Sequence, residues 1–235
     1  MFSASPFLWT AIVAAYVLVA ATGYRIPYAG TLLVHALLPV MAVGIMNGCR
    51  AVLARQPLRL MHLFSALSPG FLPLARLGLL ELALSLVLWA LAALVDGGAM
   101  FRALFVAPQE DETIHVTPLF AVVTLAHLPL LMAMWFAPAL VAWQAMPAAK
   151  AMFFSFFAVW HNLRAFLVFA VALVATAALI PTLFISAIAT LAPEAAAAMA
   201  RGFLIALMFF VLPIAFAANY LSYCDLFGGD GEAVR

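Results

Sequence analysis

Charged residues are what this sequence lacks most. Only 8% of its 235 residues are Asp, Glu, Lys or Arg, whereas 69% are hydrophobic. A soluble domain carries about 25% charged residues, because its surface has to be hydrated. The deficit therefore excludes a soluble globular protein and indicates that lipid is the solvent. The formal net charge of +1, without a basic cluster, gives no indication of a nucleic-acid partner.

Cysteine and catalytic motifs are scarce as well. The two cysteines, Cys49 and Cys224, are too few for a disulfide framework, and we interpret them as packing residues. The sequence contains no Gly-rich phosphate loop and no HExxH, CxxC or GxSxG motif. We therefore predict a non-enzymatic protein without catalytic residues, and nothing in the sequence indicates a cofactor.

Long apolar runs of about 20 residues occupy most of the chain, and this is the length that a helix needs to cross the hydrocarbon core. A membrane barrel would instead show alternating segments of about ten residues. We predict an all-α polytopic membrane helix bundle, with residues 1–227 as one domain and 228–235 as a mobile polar tail. The predicted six transmembrane spans are 7–23, 29–48, 77–95, 119–142, 165–190 and 203–222.

Lys and Arg residues are distributed unevenly between the predicted connections. If the N-terminus lies inside, the outer side receives only Arg25, Arg102 and Arg201. The inner side then receives Arg50, Arg55, Arg59, Arg76, Lys150, Arg164 and Arg235. Because basic residues concentrate in cytoplasmic loops, this distribution predicts that the N-terminus and the C-terminus are both cytoplasmic.

The two predicted inner connections resemble each other. Three residues of the first recur in the second at an offset of 90: Pro57 with Pro147, Phe64 with Phe154, and Ser65 with Ser155. Each connection begins with proline, carries a base in its first turn (Arg59 or Lys150) and then becomes apolar. We interpret both as short amphipathic helices in the cytoplasmic interface, and the pattern predicts an internal duplication of span, interfacial helix and span.

Several short segments carry a family resemblance. They are Phe136–Trp143, Met146-Pro147, Lys150–Ser155 and Asn162–Leu167, with Gly44–Arg50 in the first half. Over about residues 35–225 the chain resembles an uncharacterised family of proteobacterial multi-pass inner-membrane proteins. The resemblance implies a location in the bacterial inner (plasma) membrane, and it brings no established activity or catalytic residue. Members usually begin with a basic segment ahead of a motif like Ser5–Trp9, so we expect a late start codon or a missing interfacial helix here.

Ionisable residues inside spans are the default candidates for a functional site. His35 and His127 are predicted at similar depth in the outer leaflet, where they could bind a metal, a haem or a substrate. Hydrogen bonding between helices is the preferred interpretation of both. Glu81 is predicted one turn into the third span, close enough to the inner surface to snorkel or to pair with a base. The absence of an acid or base at mid-depth counts against a proton relay.

The leading functional hypothesis is a non-enzymatic inner-membrane protein that acts through lipid or protein contacts. Basic and aromatic residues of the inner connections suit lipid headgroups. Membrane lipids are the expected partners, and a protein partner or a homo-oligomer is left open. The candidate lipid- or partner-binding residues are Arg59, Lys150, Trp160, His161 and Arg164.

Two alternatives belong to other classes. The first is a small-solute transporter or channel, which predicts a water-accessible cavity reaching the membrane midplane between the repeated units. It is supported by the predicted repeat and by prolines inside spans: Pro39, Pro129, Pro138, Pro181 and Pro213. The second is a metal- or haem-binding membrane protein that uses His35 and His127 as ligands.

Overall fold

The computed structural model describes residues 6–26, 29–68, 70–98, 118–190 and 192–228. Within these ranges the chain forms helices and no strand. The α-helices are α1 (Pro6–Gly23), α2 (Ala29–Leu53), α3 (Phe71–Asp96), α4 (Pro118–Trp135), α5 (Ala137–Gln144), α6 (Ala148–His161), α7 (Leu163–Val174), α8 (Ile180–Ala189) and α9 (Pro193–Phe227). A 3-10 helix (Leu60–Phe64) follows α2, and a π-helical segment (Ala175–Leu179) joins α7 to α8. The prediction of an all-α membrane helix bundle is confirmed.

Three helical segments of the described chain are long and apolar enough to cross a membrane. They are α2, α3 and the combination of α4 with α5, and each contains one of the predicted spans 29–48, 77–95 and 119–142. Helices α6 and α7 meet at an angle of 82°, and they add a fourth if the pair is one broken span. Two further apolar stretches, Phe7–Gly23 within α1 and Val211–Phe227 within α9, are shorter.

The total of six spans and the single domain over 1–227 stay predictions. Because α6 and α7 meet at 82°, at most one of the two helices can lie along the membrane normal. The interfacial placement of α6 also stays a prediction. Of the predicted polar tail, residues 229–235 lie outside the part of the chain that the structure describes.

Helix α3 begins six residues before the predicted third span. Its first residue is Phe71, and Pro73 lies in the first turn, where a missing backbone N–H leaves no helical hydrogen bond unmade. Arg76 is inside the helix and exposed, as a long side chain that reaches the interface can be. Glu81 consequently lies ten residues into a helix of 26 residues. The structure thus corrects the predicted position of Glu81, which is near the middle of α3 and not one turn from its start.

The core lies where α2 meets α3, α5 and the 3-10 helix, with Ile45, Leu63, Leu77 and Leu140 fully buried. One glycine, Gly78 of α3, allows α2 and α3 to pack closely in this core. A Cβ atom on Gly78 would overlap the backbone carbonyl oxygen of His35. The absence of a side chain there lets α3 approach α2 at backbone distance, as small residues do between membrane helices.

The two connections that were predicted to be inner differ in local structure but share a register. The first forms a 3-10 helix of five residues instead of an α-helix, whereas the second forms α6, with 14 residues. Ser65 accepts a hydrogen bond from Asn47, 18 residues earlier, and Ser155 accepts one from Phe136, 19 residues earlier. Each connection therefore packs back onto the helix before it at nearly the same position. This register agrees with the predicted duplication, which stays a prediction.

Candidate functional site

The helix formed by α4 and α5 is broken at Phe136. Pro138, the second residue of α5, has no N–H to donate to the preceding turn. Ser155 of α6 bridges two backbone groups that the break separates: its buried hydroxyl accepts a hydrogen bond from the Phe136 N–H at 2.9 Å and donates one to the Met132 carbonyl at 2.8 Å. Irregular backbone at membrane depth is tolerated where such groups are satisfied inside the protein. Broken helices of this kind form binding sites in many transporters.

A cavity of about 390 Å³ lies beside this break. Residues of α1, α2 and α3 line it from the first half of the chain, and residues of α4, α5 and α9 line it from the second half. Its volume falls within the range of small-molecule sites, about 300–1,000 Å³. The polar side chains that line it are Tyr16, His35, Glu81, His127, Trp135 and Asn219.

A hydrogen-bonded His–Glu pair between α2 and α3 occupies one wall of the cavity. His35 Nδ1 lies 2.7 Å from Glu81 Oε2, and the two side chains are 18% and 23% exposed. Ser85 donates a hydrogen bond of 3.0 Å to the other carboxylate oxygen of Glu81. A separation of 2.7 Å is typical of a charge-assisted hydrogen bond. The pair overturns the expectation that no acid or base lies at mid-depth.

Tyr24 is the last residue of this hydrogen-bonded chain. Its hydroxyl lies 3.4 Å from His35 Nε2, at the turn that follows α1. Partial burial, and after it the negative charge of Glu81, raise the pKa of the Tyr24 phenol, so the hydroxyl remains protonated. Two side chains, Tyr24 from the turn after α1 and Glu81 from α3, therefore orient His35.

His127 lines the same cavity from α4. Its Nδ1 lies 2.8 Å from the Val123 carbonyl, to which it donates, so Nε2 keeps its lone pair in the neutral ring. The ring also contacts Trp89 of α3 at a centroid distance of 5.9 Å. The structure thus brings the two histidines to one cavity. Across the described ranges, however, no three His, Cys, Asp or Glu side chains are grouped to hold a metal ion.

Two polar atoms of the cavity-lining residues are buried without a hydrogen-bond partner in the described chain. They are Nε1 of Trp135, a donor, and Oδ1 of Asn219, an acceptor. The amide nitrogen of Asn219 is engaged, since it donates to the Trp135 carbonyl at 2.6 Å. Buried polar atoms are normally satisfied, and leaving one unsatisfied costs about 1–3 kcal/mol.

Trp135 and Asn219 were not predicted from the sequence, because the candidates inside the spans were ionisable residues and prolines. An asparagine within the apolar stretch 203–222 is a usable signal, because an amide in hydrocarbon needs partners. The tryptophan carries no comparable signal, since most membrane tryptophans belong to interfacial belts.

The residues predicted to bind lipids or partners lie elsewhere. Arg59, Lys150, Trp160, His161 and Arg164 are all exposed, and none of them lines the cavity. On α6, the Lys150 ammonium lies 5.8 Å above the Phe154 ring, and Trp160 stacks on Phe156. These contacts make α6 an aromatic and basic surface that is separate from the cavity.

Comparison with known proteins agrees with the membrane assignment. The chain is 30% identical over 179 residues to a probable inner membrane protein of Burkholderia thailandensis. The match covers 72% of this chain and 66% of that relative, a little under two thirds of its length. No family model and no solved structure matches the chain. With its long apolar helices and this homologue, the chain is an integral membrane protein that is similar to a probable bacterial inner-membrane protein.

Proposed function

We propose that this protein binds a small solute in the cavity between its two halves, as a transporter or channel does. The observation that carries the proposal is the His35–Glu81 pair on the cavity wall. An acidic residue at the centre of a membrane helix costs about 2.5–3.5 kcal/mol on insertion scales, so it is rarely kept for packing alone.

The broken helix supports the same function. Trp135 and Pro138 flank Phe136, where α4 ends, and both also line the cavity. In many transporter folds the substrate lies near the midplane, against a discontinuous helix and between two repeated units. The cavity here has that relation to the α4–α5 break and to the two halves of the chain.

Cysteine labelling tests whether water reaches the cavity. With Cys49 and Cys224 replaced by alanine, we expect Ala42→Cys, on the cavity wall, to react with a small charged methanethiosulfonate reagent. The matched control is Leu128→Cys, which is exposed on α4 and does not line the cavity. Because only the thiolate reacts and it forms in water, Ala42→Cys should react about tenfold faster or more. Equal rates at the two positions would contradict a water-accessible cavity.

A second candidate function, contact with lipids or a protein partner, is favoured by the exposed face of α6. Phe153 is 60% exposed and Trp160 is 55% exposed, next to Phe154 and Phe157. Aromatic rings settle at the headgroup level, and a base such as Lys150 attracts anionic lipid. Membrane lipids are the partners that this surface suits best, and a protein or a second copy of the chain could cover the same rings.

Brominated lipids test this surface, because bromine quenches tryptophan fluorescence on contact. We expect reconstitution into brominated phosphatidylcholine to quench the emission of the native protein, and Trp160→Phe to remove the largest share of that quenching. Trp9→Phe serves as the control, since Trp9 is 2% exposed. If Trp160→Phe leaves the quenched fraction unchanged, α6 does not face lipid.

We also propose that both termini lie in the cytoplasm. The positive-inside distribution of seven bases against three supports this orientation. The structure adds that the ends of α2 and α5 lie together, since Trp143 Nε1 donates to Asn47 Oδ1 at 3.2 Å. The two base-carrying connections that follow these helices therefore start on one side of the bundle.

A further inference from the structure

The charge of the cavity wall restricts what it can bind. Among the described residues that line it, Glu81 is the one carboxylate, and neither lysine nor arginine is present. The electrostatic interaction between two charges is several-fold stronger away from bulk water. An anion in this cavity would meet the Glu81 carboxylate without a fixed cation to offset it, whereas a cation would be attracted.

Aromatic rings add to this preference. Tyr16, Trp135 and Phe216 line the cavity from α1, α4 and α9. Tyr16 and Phe216 contact each other edge to face, with centroids 5.5 Å apart. The faces of aromatic rings attract cations, and a carboxylate among rings is the chemistry that recognises organic ammonium groups.

His35 holds the position that a bound cation would compete for. Its Nδ1 lies 2.7 Å from Glu81 Oε2, and a hydrogen bond of this length places a proton between the two atoms. The other titratable groups around the pair are Tyr16 and Tyr24 from α1 and the turn after it, and His127 from α4. The described cavity residues of α9, Phe216 and Asn219, do not titrate.

We propose that the cavity takes a small organic cation in exchange for the proton held between His35 and Glu81. This inference rests on the proposed solute-binding function and names its substrate class. When the cation binds the Glu81 carboxylate, the shared proton leaves the pair for water and His35 stays as the neutral imidazole. One positive charge enters and one leaves, so the charge of the site is unchanged. Binding therefore strengthens as the pH rises, because fewer protons compete for Glu81.

Calorimetry on the purified full chain in lipid nanodiscs tests the exchange. The probes are tetraethylammonium and tetraphenylphosphonium, which carry a permanent charge and no proton of their own. We expect saturable binding of at least one probe. We also expect an apparent enthalpy that differs between phosphate and Tris buffers, because the released proton is taken up by the buffer. Equal enthalpies in the two buffers would overturn the exchange.

Substitutions assign the effect to the pair. Glu81→Gln, which keeps the shape of the side chain, should weaken probe binding by about tenfold or more. His35→Gln should keep binding and lose the buffer dependence. Asp96→Asn removes a carboxylate from the same helix outside the cavity and should change neither.

The outcomes separate this inference from the proposed function. If neither probe binds, or if Glu81→Gln binds as the native chain does, the cation assignment is wrong. Preferential binding of benzoate, an anionic probe, would overturn it as well. In any of these cases a reactive Ala42→Cys would still support a solute cavity, because the labelling reports only the entry of water.

Discussion

Gly78→Ala is expected to destabilise the helix bundle, although alanine is the better helix former. The new methyl group would overlap the His35 carbonyl oxygen, a backbone atom that cannot move without moving α2. Overpacking of this kind costs about 1–3 kcal/mol, and we expect the upper end of that range because the contact is backbone to backbone. The gain in helix propensity is at most about 1 kcal/mol. The net loss should lower the thermal unfolding midpoint by about 4–8 °C.

Gly70→Ala is the matched control for this substitution. Gly70 precedes α3, and a Cβ atom there would lie 3.4 Å from the Ala66 carbonyl oxygen and 3.7 Å from Leu74, which are ordinary contacts. Gly70→Ala should change the free energy of unfolding by no more than about 0.5 kcal/mol, as surface substitutions do. The measurement is the thermal unfolding of detergent-purified protein, with the fraction that stays folded at each temperature determined by size-exclusion chromatography. A higher midpoint for Gly78→Ala would show that α2 and α3 do not approach at backbone distance.

Ser155→Ala has the second largest expected effect. The substitution leaves the buried Phe136 N–H without an acceptor and removes the donor to the Met132 carbonyl. A buried donor left unsatisfied costs about 1–3 kcal/mol, and no water is available in hydrocarbon to replace the hydroxyl. The same thermal assay should show a clear fall in the unfolding midpoint.

Ser65→Ala tests the corresponding serine of the first half. Ser65 is exposed and accepts its hydrogen bond from the Asn47 side chain, which can turn to another partner. We expect an effect below about 1 kcal/mol, the value of an ordinary hydrogen bond. If the two alanine variants unfold at the same temperature, the α4–α5 break does not depend on Ser155.

The position of Glu81 shows where sequence reasoning reached its limit. Arg76 was assigned to the connection before the third span, and that span was predicted to begin at residue 77. In the structure Pro73 occupies a first turn that tolerates it, and Arg76 is exposed inside the helix. A helix that contains both residues starts earlier, so the carboxylate that seemed superficial lies near the middle of the helix.

The pairing of His35 with Glu81 could not be predicted from spacing either. The two residues are 46 positions apart. They meet because Gly78 and Glu81, three residues apart, lie on one face of α3. The His35 backbone packs against Gly78, and the His35 side chain forms a hydrogen bond with Glu81. Nothing in either segment alone indicates which face of α3 turns toward α2.

Composition and the length of apolar runs determined by themselves that this chain is a bundle of membrane helices. Both are properties of consecutive residues, and the choice between water and lipid depends on them directly. The cavity, the His35–Glu81 pair and the satisfied break at Phe136 were decided only by the tertiary structure. Each depends on residues from different helices meeting at distances of a few ångströms, and such contacts follow from the faces that helices present to one another.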